Sequence, residues 1–134
     1  MQQYSCVALV SLLALLTYVW MMMRVGKARM KSGVKAPAMT GDEGLERAIR
    51  AHLNTLEWLP TFLVSMWIFA IYWSPTVAAG AGVVWITGRI LYALAYVSDP
   101  SKRGAGFLIQ ALATAVLLFG GIGRIVWSMV TQGA

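Results

Sequence analysis

Residues Glu46–Pro60, with the sequence ERAIRAHLNTLEWLP, place charged and amide side chains in a stretch that leads into an apolar segment. At about 100° per residue, four of these polar side chains share one face of a helix: Arg47, Arg50, Asn54 and Glu57. Polar stripes at membrane depth cost free energy and are usually functional. The stripe therefore predicts a helix that enters a membrane and holds a small zwitterion.

The composition indicates an integral membrane protein. Of the 134 residues, 59% are hydrophobic and 12% are charged, whereas soluble domains average about 25% charged residues. We expect one domain over residues 1–134, with no separate soluble catalytic domain. The net charge of +6 does not indicate nucleic-acid binding, because seven of the eleven basic residues lie between Arg24 and Arg50 and flank apolar spans. A single cysteine, Cys6, excludes an intrachain disulfide.

Apolar stretches and the breaks between them predict an all-α bundle of four transmembrane helices. The expected helices cover about residues 4–30, 43–73, 76–97 and 103–131. The first stretch is long enough to cross a hydrocarbon core of about 30 Å. It lacks the basic start and the cleavage site of a signal peptide, so we expect it to be retained. Pro37 favours a loop after helix one, and Ser74-Pro75-Thr76 predicts a tight second connection.

The distribution of basic residues predicts the orientation. The first loop is strongly basic and the third carries Lys102 and Arg103, whereas the second carries no charged side chain. The positive-inside rule then places loops one and three in the cytoplasm and both termini on the opposite side. In this orientation the polar stripe of helix two opens toward the cytoplasm. Arg124, near the outer end of helix four, is expected to snorkel to the headgroups.

The stripe of helix two admits two interpretations. Arg47 and Arg50 could clasp carboxylates, because a guanidinium offers a planar fork of donors. Glu57 could accept hydrogen bonds from an ammonium, and Asn54 could serve a peptide group. Alternatively, Glu57 pairs with Arg89 of helix three and the two arginines of the stripe lie at the membrane interface.

Helix three and the third loop supply further candidates. Arg89, Tyr92 and Tyr96 share one face of helix three at i, i+3 and i+7. Tyr96 could instead be an interfacial belt tyrosine. Arg103 opposes the dipole at the start of helix four. It could stabilise an anion near Tyr96, such as a thiolate, or it could only set the topology.

His52 lies roughly opposite Arg50 on helix two. It therefore cannot serve the same pocket within one subunit, but it could face a neighbouring subunit. Because it is the only histidine and has no cysteine partner, the sequence predicts no metal site.

The motif E-R-x-x-R-A-x-x-N-x-x-E-x-x-P of Glu46–Pro60 resembles the MAPEG family, the membrane-associated proteins of eicosanoid and glutathione metabolism. The length, the four spans, the long basic first loop and the short second loop extend the resemblance over nearly the whole chain. The sequence GKAR at residues 26–29 and the Arg89…Tyr92…Tyr96 pattern support it. The chain is similar to a bacterial member near the microsomal glutathione transferase and leukotriene C synthase branch.

This resemblance implies a homotrimer of four-helix protomers that binds glutathione, as co-substrate, between neighbouring protomers on the cytoplasmic side. The residues that match the family's glutathione contacts are Arg29, Arg50, His52, Asn54, Glu57, Tyr92 and Tyr96. Of these, Arg29 and His52 would come from the adjacent subunit. Arg103 matches the arginine that activates the thiol and would be the catalytic residue.

Two positions depart from the family pattern. Trp58 stands where leukotriene synthases have tyrosine, so a hydroxyl contact is lost. Gly104 stands where related synthases and many bacterial members have serine, which removes a hydrogen bond to the thiol. The second departure makes Arg103 more important and leaves the class of electrophile open.

The function that the resemblance implies is detoxification by a membrane glutathione transferase, in a bacterial inner membrane. Its second substrate would be a lipophilic electrophile or a lipid hydroperoxide. The alternative is a non-enzymatic lipid-binding scaffold, as in the family's lipoxygenase-activating branch, which lacks a competent glutathione site. A small multidrug exporter also has four spans and a membrane glutamate. Such exporters carry that glutamate in the first helix, and the apolar stretch of the first helix has no charge here.

Overall fold

The computed structural model describes residues 2–133, apart from the side chain of Pro100. All the regular secondary structure of the described residues is helical, as the sequence predicts. Its four long helices are α1 (Ser5–Ser32), α2 (Glu43–Tyr72), α3 (Pro75–Ser98) and α4 (Gly104–Gln132). Short 3-10 turns at Gln2–Tyr4 and Pro100–Lys102 precede α1 and α4. All four long helices are long and apolar enough to cross a membrane, so the chain is a multi-pass integral membrane protein.

Short polar residues and glycine set the helix ends. Gly33 ends α1 in the left-handed conformation, with φ of 77°, which residues with a β-carbon rarely adopt. The carboxylate of Asp42 caps α2 by accepting a hydrogen bond from the backbone N–H of Leu45 at 2.9 Å. Ser74 caps α3 in the same way, and Pro75 follows at the first helical position.

Aromatic and aliphatic side chains fill the centre of the bundle. Phe62 of α2 and Trp85 of α3 are both fully buried and stack at 4.1 Å between ring centroids. Val7 of α1 and Leu117 of α4 complete the same core. Large apolar side chains also point outward on every helix, as at Leu12, Val64, Val83 and Phe119. These outward faces suit contact with lipid.

Glycine allows α3 and α4 to touch backbone to backbone. A β-carbon on Gly106 of α4 would lie 2.7 Å from the carbonyl oxygen of Gly88 and 2.9 Å from Cα of Tyr92. A β-carbon on Gly88 would lie 2.8 Å from the backbone nitrogen of Gln110. Helices in lipid use such small residues to approach closely. The crossing fixes the distance between the end of α3 and the start of α4.

The connection between α2 and α3 is held by an aromatic side chain. Trp73 donates from Nε1 to the carbonyl oxygen of Gly120 at 2.8 Å. The guanidinium of Arg124 lies over the Trp73 ring, 5.0 Å from its centroid. Arg124 thus packs on the end of the bundle that carries the second loop, which is where the expected snorkelling would take it.

Candidate functional site

A cavity of about 540 Å³ opens between α2, α3, the start of α4 and the first loop. Its lining includes Arg50, Asn54, Glu57, Tyr92, Tyr96 and Arg103. Six of the eight residues singled out from the sequence therefore meet in one protomer. A volume of this size lies in the ordinary range for small-molecule sites, about 300–1,000 Å³.

The 3.6-residue period of α2 places three of these side chains in line along the cavity. Arg50 and Glu57 are exposed, and Asn54 is partly buried. Glu57 lies 14 residues after the start of α2, about 21 Å along the helix axis. The Oδ1 atom of Asn54 is buried and accepts no hydrogen bond within the described chain. An orphaned buried acceptor inside a cavity is a sign of a ligand donor that the protein itself does not supply.

Arg47 does not line the cavity, although it shares the stripe in the sequence. It forms an ion pair with Glu43, one turn earlier on α2, and its Nη1 atom donates to the carbonyl oxygen of Val97 at 3.3 Å. It thereby ties the start of α2 to the end of α3. This part of the stripe is structural.

Two tyrosine rings of α3 stack on each other, and each contacts an arginine. Tyr92 and Tyr96 stack at 5.5 Å between ring centroids. The Arg89 guanidinium lies 4.3 Å from the Tyr92 centroid, and that of Arg103 lies 5.5 Å from the Tyr96 centroid. Tyr92 is buried, whereas Tyr96 is half-buried. The Tyr96 ring thus holds Arg103 against the end of α3.

Arg103 is the residue immediately before the first helical turn of α4. Its charge and the N-terminal end of the helix dipole create positive potential at the same point. A β-carbon on Gly104 would have no atom within 4 Å, so the space beside Arg103 is open. This arrangement can stabilise a small anion at the N-terminus of α4.

The alternative interpretation of the stripe, in which Glu57 pairs with Arg89, is wrong for Arg89. Arg89 is fully buried, and it donates from Nε at 3.2 Å and from Nη2 at 2.6 Å to the hydroxyl of Thr55. Glu57 lines the cavity instead. Thr55 could not be predicted from the sequence, because a threonine in an apolar helix face carries no pattern of its own.

The other two residues singled out from the sequence lie outside this cavity. His52 stacks on Tyr18 of α1 at 4.3 Å between ring centroids, on the far side of α2 from Arg50. Arg29 donates from Nη1 to the carbonyl oxygen of Ala38 at 2.6 Å, within the first loop. Neither reaches the cavity within one protomer, and a contribution from an adjacent protomer stays a prediction.

The cavity also has walls that the sequence analysis did not identify. They are Met39, Thr40, Glu46, Ile49 and Leu53. Glu46 belongs to the quoted motif and could have been found by helical spacing. The first-loop residues could not, since the path of an irregular loop has no periodic signal. Trp58, one of the departures from the family pattern, packs its ring edge-on against Phe107 of α4 at 5.6 Å.

The electrostatics of the cavity are balanced. Arg50 and Arg103 contribute two cations, and Glu46 and Glu57 contribute two carboxylates. Paired opposite charges at separated points suit a ligand that is itself zwitterionic. Among residues 2–133, no cluster of three histidine, cysteine or acidic side chains could hold a metal ion.

The fold and the cavity define a class: a four-helix integral membrane protein with a polar cavity at one end of its bundle. Comparison with known proteins is specific. The model of the MAPEG family matches residues 7–123, so the chain belongs to the MAPEG family.

Three relatives show the extent of the similarity. An uncharacterized protein of Synechocystis is 45% identical over 91% of this chain and 89% of its own length. Human microsomal glutathione S-transferase 2 is 37% identical over 87% of this chain and 80% of its own length. Guinea-pig (Cavia porcellus) leukotriene C4 synthase is 31% identical over 87% of this chain and 77% of its own length.

Proposed function

We propose that the protein is a membrane glutathione transferase, with its site completed in a homotrimer. The observation that carries the proposal is the convergence of Arg50, Asn54, Glu57 and Arg103 on one cavity of about 540 Å³. The names of the human and guinea-pig relatives support it, since one is a glutathione transferase and the other a leukotriene C4 synthase.

The cavity fits the chemistry of glutathione, which has two carboxylates, one ammonium, two peptide groups and a thiol. Arg50 offers a planar fork for a carboxylate, and Glu57 offers an acceptor for the ammonium. The orphaned Oδ1 of Asn54 can accept a hydrogen bond from a peptide N–H. Tyr92 and Tyr96 close the α3 side.

The chemical step belongs to Arg103. Its guanidinium and the N-terminus of α4 favour the thiolate over the thiol and so lower the pKa of bound glutathione. The thiol proton leaves to water, and the sulfur then forms a bond to an electrophilic carbon of a lipophilic substrate as the leaving group departs or the ring opens. With a lipid hydroperoxide, two glutathiones would instead give the alcohol, water and glutathione disulfide.

A trimer would cover what one protomer leaves open. Arg50 and Glu57 are both exposed in the single chain, although Glu57 lies about 21 Å along a membrane helix. Charges at that depth need protein or water around them. An adjacent protomer would supply that cover, and with it Arg29 and His52. We further propose that loops one and three face the cytoplasm across a bacterial inner membrane.

The test is conjugation of glutathione to a chloronitrobenzene substrate by the purified protein. We expect Arg103→Ala to lower kcat by about 10²-fold, the scale for the loss of one electrostatic stabiliser. Lys102→Ala is the matched control, because Lys102 is an adjacent exposed cation that does not line the cavity. No activity above that of Arg103→Ala across a broad panel of electrophiles would refute the proposal.

Calorimetry with glutathione separates the transferase from a lipid-binding scaffold. We expect binding that weakens by about 10-fold or more in Glu57→Gln, because a charged hydrogen bond is lost. A scaffold would show no binding in either protein. Crosslinking or mass measurement in mild detergent tests the trimer separately.

A further inference from the structure

A second cavity lies at the end of the bundle that carries the first loop. Its volume is about 920 Å³, and α1, α2 and α3 form its walls. It shares no lining residue with the candidate site. Gly44 and Ala48 face it from α2, roughly opposite the face that carries Arg50. The two cavities are therefore separated by α2.

Three cations of α1 line this second cavity. Arg24, Lys27 and Lys31 follow one another at i, i+3 and i+7 and so share one face of the helix. Within residues 2–133, none of the three forms an ion pair or donates a hydrogen bond to another protein group. The Nη1 atom of Arg24 is buried without an acceptor, although its guanidinium lies over the Trp20 ring at 4.9 Å.

The acidic residue of the cavity offsets only part of this charge. Asp42 lines the wall and caps α2 by accepting from the backbone N–H of Leu45 at 2.9 Å, but one carboxylate against three cations leaves two positive charges in excess. A buried guanidinium nitrogen without an acceptor costs free energy unless a ligand supplies one. Topology-setting charges alone account for the basic residues, but not for the cavity or for the orphaned nitrogen.

The remaining walls are apolar. Met23 of α1 and Leu94 and Val97 of α3 line the cavity, and the first two are exposed. The cavity thus combines a cationic rim with a hydrophobic wall. A ligand that satisfies both parts must be an amphiphile with an anionic head.

The position along α1 agrees with a lipid ligand. Arg24 lies 19 residues after the start of α1 at Ser5, about 29 Å along the axis. That rise matches the thickness of a hydrocarbon core, about 30 Å, so the three cations lie at headgroup level. Trp20, one turn earlier, suits the membrane interface.

We propose that this cavity binds the phosphate headgroup of an anionic phospholipid. Arg24, Lys27 and Lys31 contact the phosphate oxygens, and Met23, Leu94 and Val97 contact the upper part of an acyl chain. A free phosphate shares the headgroup chemistry but would leave the hydrophobic wall without a partner. The site is thus a lipid site, separate from the proposed glutathione site.

The experiment measures lipid adducts by native mass spectrometry on the purified full-length chain. Phosphatidylglycerol is compared with phosphatidylcholine of the same acyl chains. We expect the wild-type protein to retain phosphatidylglycerol preferentially. A cation near a membrane surface contributes about fivefold in affinity, so Lys27→Gln/Lys31→Gln should lower that preference by about 25-fold.

Two variants make the result specific. Lys35→Gln/Lys102→Gln removes two exposed cations that do not line the cavity, and it should leave the preference unchanged. Lys27→Arg/Lys31→Arg keeps the charge and should retain the lipid, which also shows that the α1 surface tolerates substitution.

Several outcomes would overturn the proposal. They are equal retention of the two lipids by the wild-type protein, an equal loss in the Lys35→Gln/Lys102→Gln control, and displacement of phosphatidylglycerol by millimolar inorganic phosphate. Glutathione affinity should be unchanged in Lys27→Gln/Lys31→Gln. A parallel loss of glutathione binding would assign these cations to the first cavity and would also refute a separate lipid site.

Discussion

Substitution of Gly106 by alanine tests whether the crossing of α3 and α4 positions the candidate site. The new β-carbon would lie 2.7 Å from the carbonyl oxygen of Gly88 and 2.9 Å from Cα of Tyr92. Both neighbours are backbone atoms, so no side-chain rotation relieves the clash. The backbone nitrogen of Tyr92 lies closer still, so the helices must separate by about 1 Å to reach ordinary contact distance.

The expected cost has two parts. Forcing a methyl group into a packed contact destabilises by about 1–3 kcal/mol. The separation also moves Tyr92 away from Arg103, which lies three residues before Gly106 at the start of α4. A displacement approaching 1 Å can lower a rate by about 10²-fold. We therefore expect a lower melting temperature together with a 10- to 100-fold loss of turnover.

The matched control is Gly123→Ala, in the same helix. A β-carbon at Gly123 would meet no atom within 4 Å. Alanine is favoured over glycine by up to about 1 kcal/mol within a helix, so this variant should be as stable as the wild type or more so. Thermal unfolding in one detergent and the conjugation assay are run on all three proteins. If Gly106→Ala matches Gly123→Ala in both assays, the crossing does not position the site.

Two further predictions concern single polar contacts. Thr55→Val removes the hydroxyl that accepts from the buried Arg89, so it should lower the free energy of unfolding by about 2–3 kcal/mol. The control Thr87→Val, at an exposed position, should change the free energy of unfolding by less than about 0.5 kcal/mol. Equal effects of the two variants in denaturant titration would contradict the role of Thr55. Hydrogen bonds from the Ser101 hydroxyl and backbone N–H lower the pKa of Asp99 in the third loop. Because the pKa of Asp99 is lower in the folded state than in the unfolded state, its ionised carboxylate contributes to folding stability. That contribution is fully present above the unfolded-state pKa and is lost as the pH falls through the folded-state pKa. Ser101→Ala should therefore raise the pKa of Asp99, measured by NMR titration, and an unchanged pKa would contradict the assigned cause.

The all-helical class and the number of helices follow from the sequence because membrane spans carry a strong signal. Uncharged stretches of about 20 residues have few alternative structures in lipid. The end of α1 shows the limit of that signal, since the helix runs to Ser32 and is terminated by the left-handed Gly33, beyond the predicted end near residue 30. Hydropathy alone does not locate such an end within a basic, mixed segment.

The polar stripe predicted which helix faces the cavity, but it could not predict which of its side chains line the cavity. Arg47 and Arg50 lie on the same face in sequence, yet Arg47 pairs with Glu43 and the end of α3. The sequence also could not identify the partner of Arg89. Arg89 bonds to Thr55 and not to Glu57 because of the depth and rotation of α3 against α2, which depend on tertiary packing.

Helix α2 is longer than the hydrocarbon core is thick, so the residues of α2 that line the cavity lie at different depths between water and lipid. Its 30 residues extend about 45 Å, against a hydrocarbon core of about 30 Å. Arg50 lies in the wetter half, whereas Glu57 lies about two turns deeper. In the proposed transferase, water-soluble glutathione and a lipid-soluble electrophile would therefore meet without either leaving its own phase. The rate with the proposed electrophile should then follow its mole fraction in the bilayer, so rates with different electrophiles are comparable only after correction for partitioning.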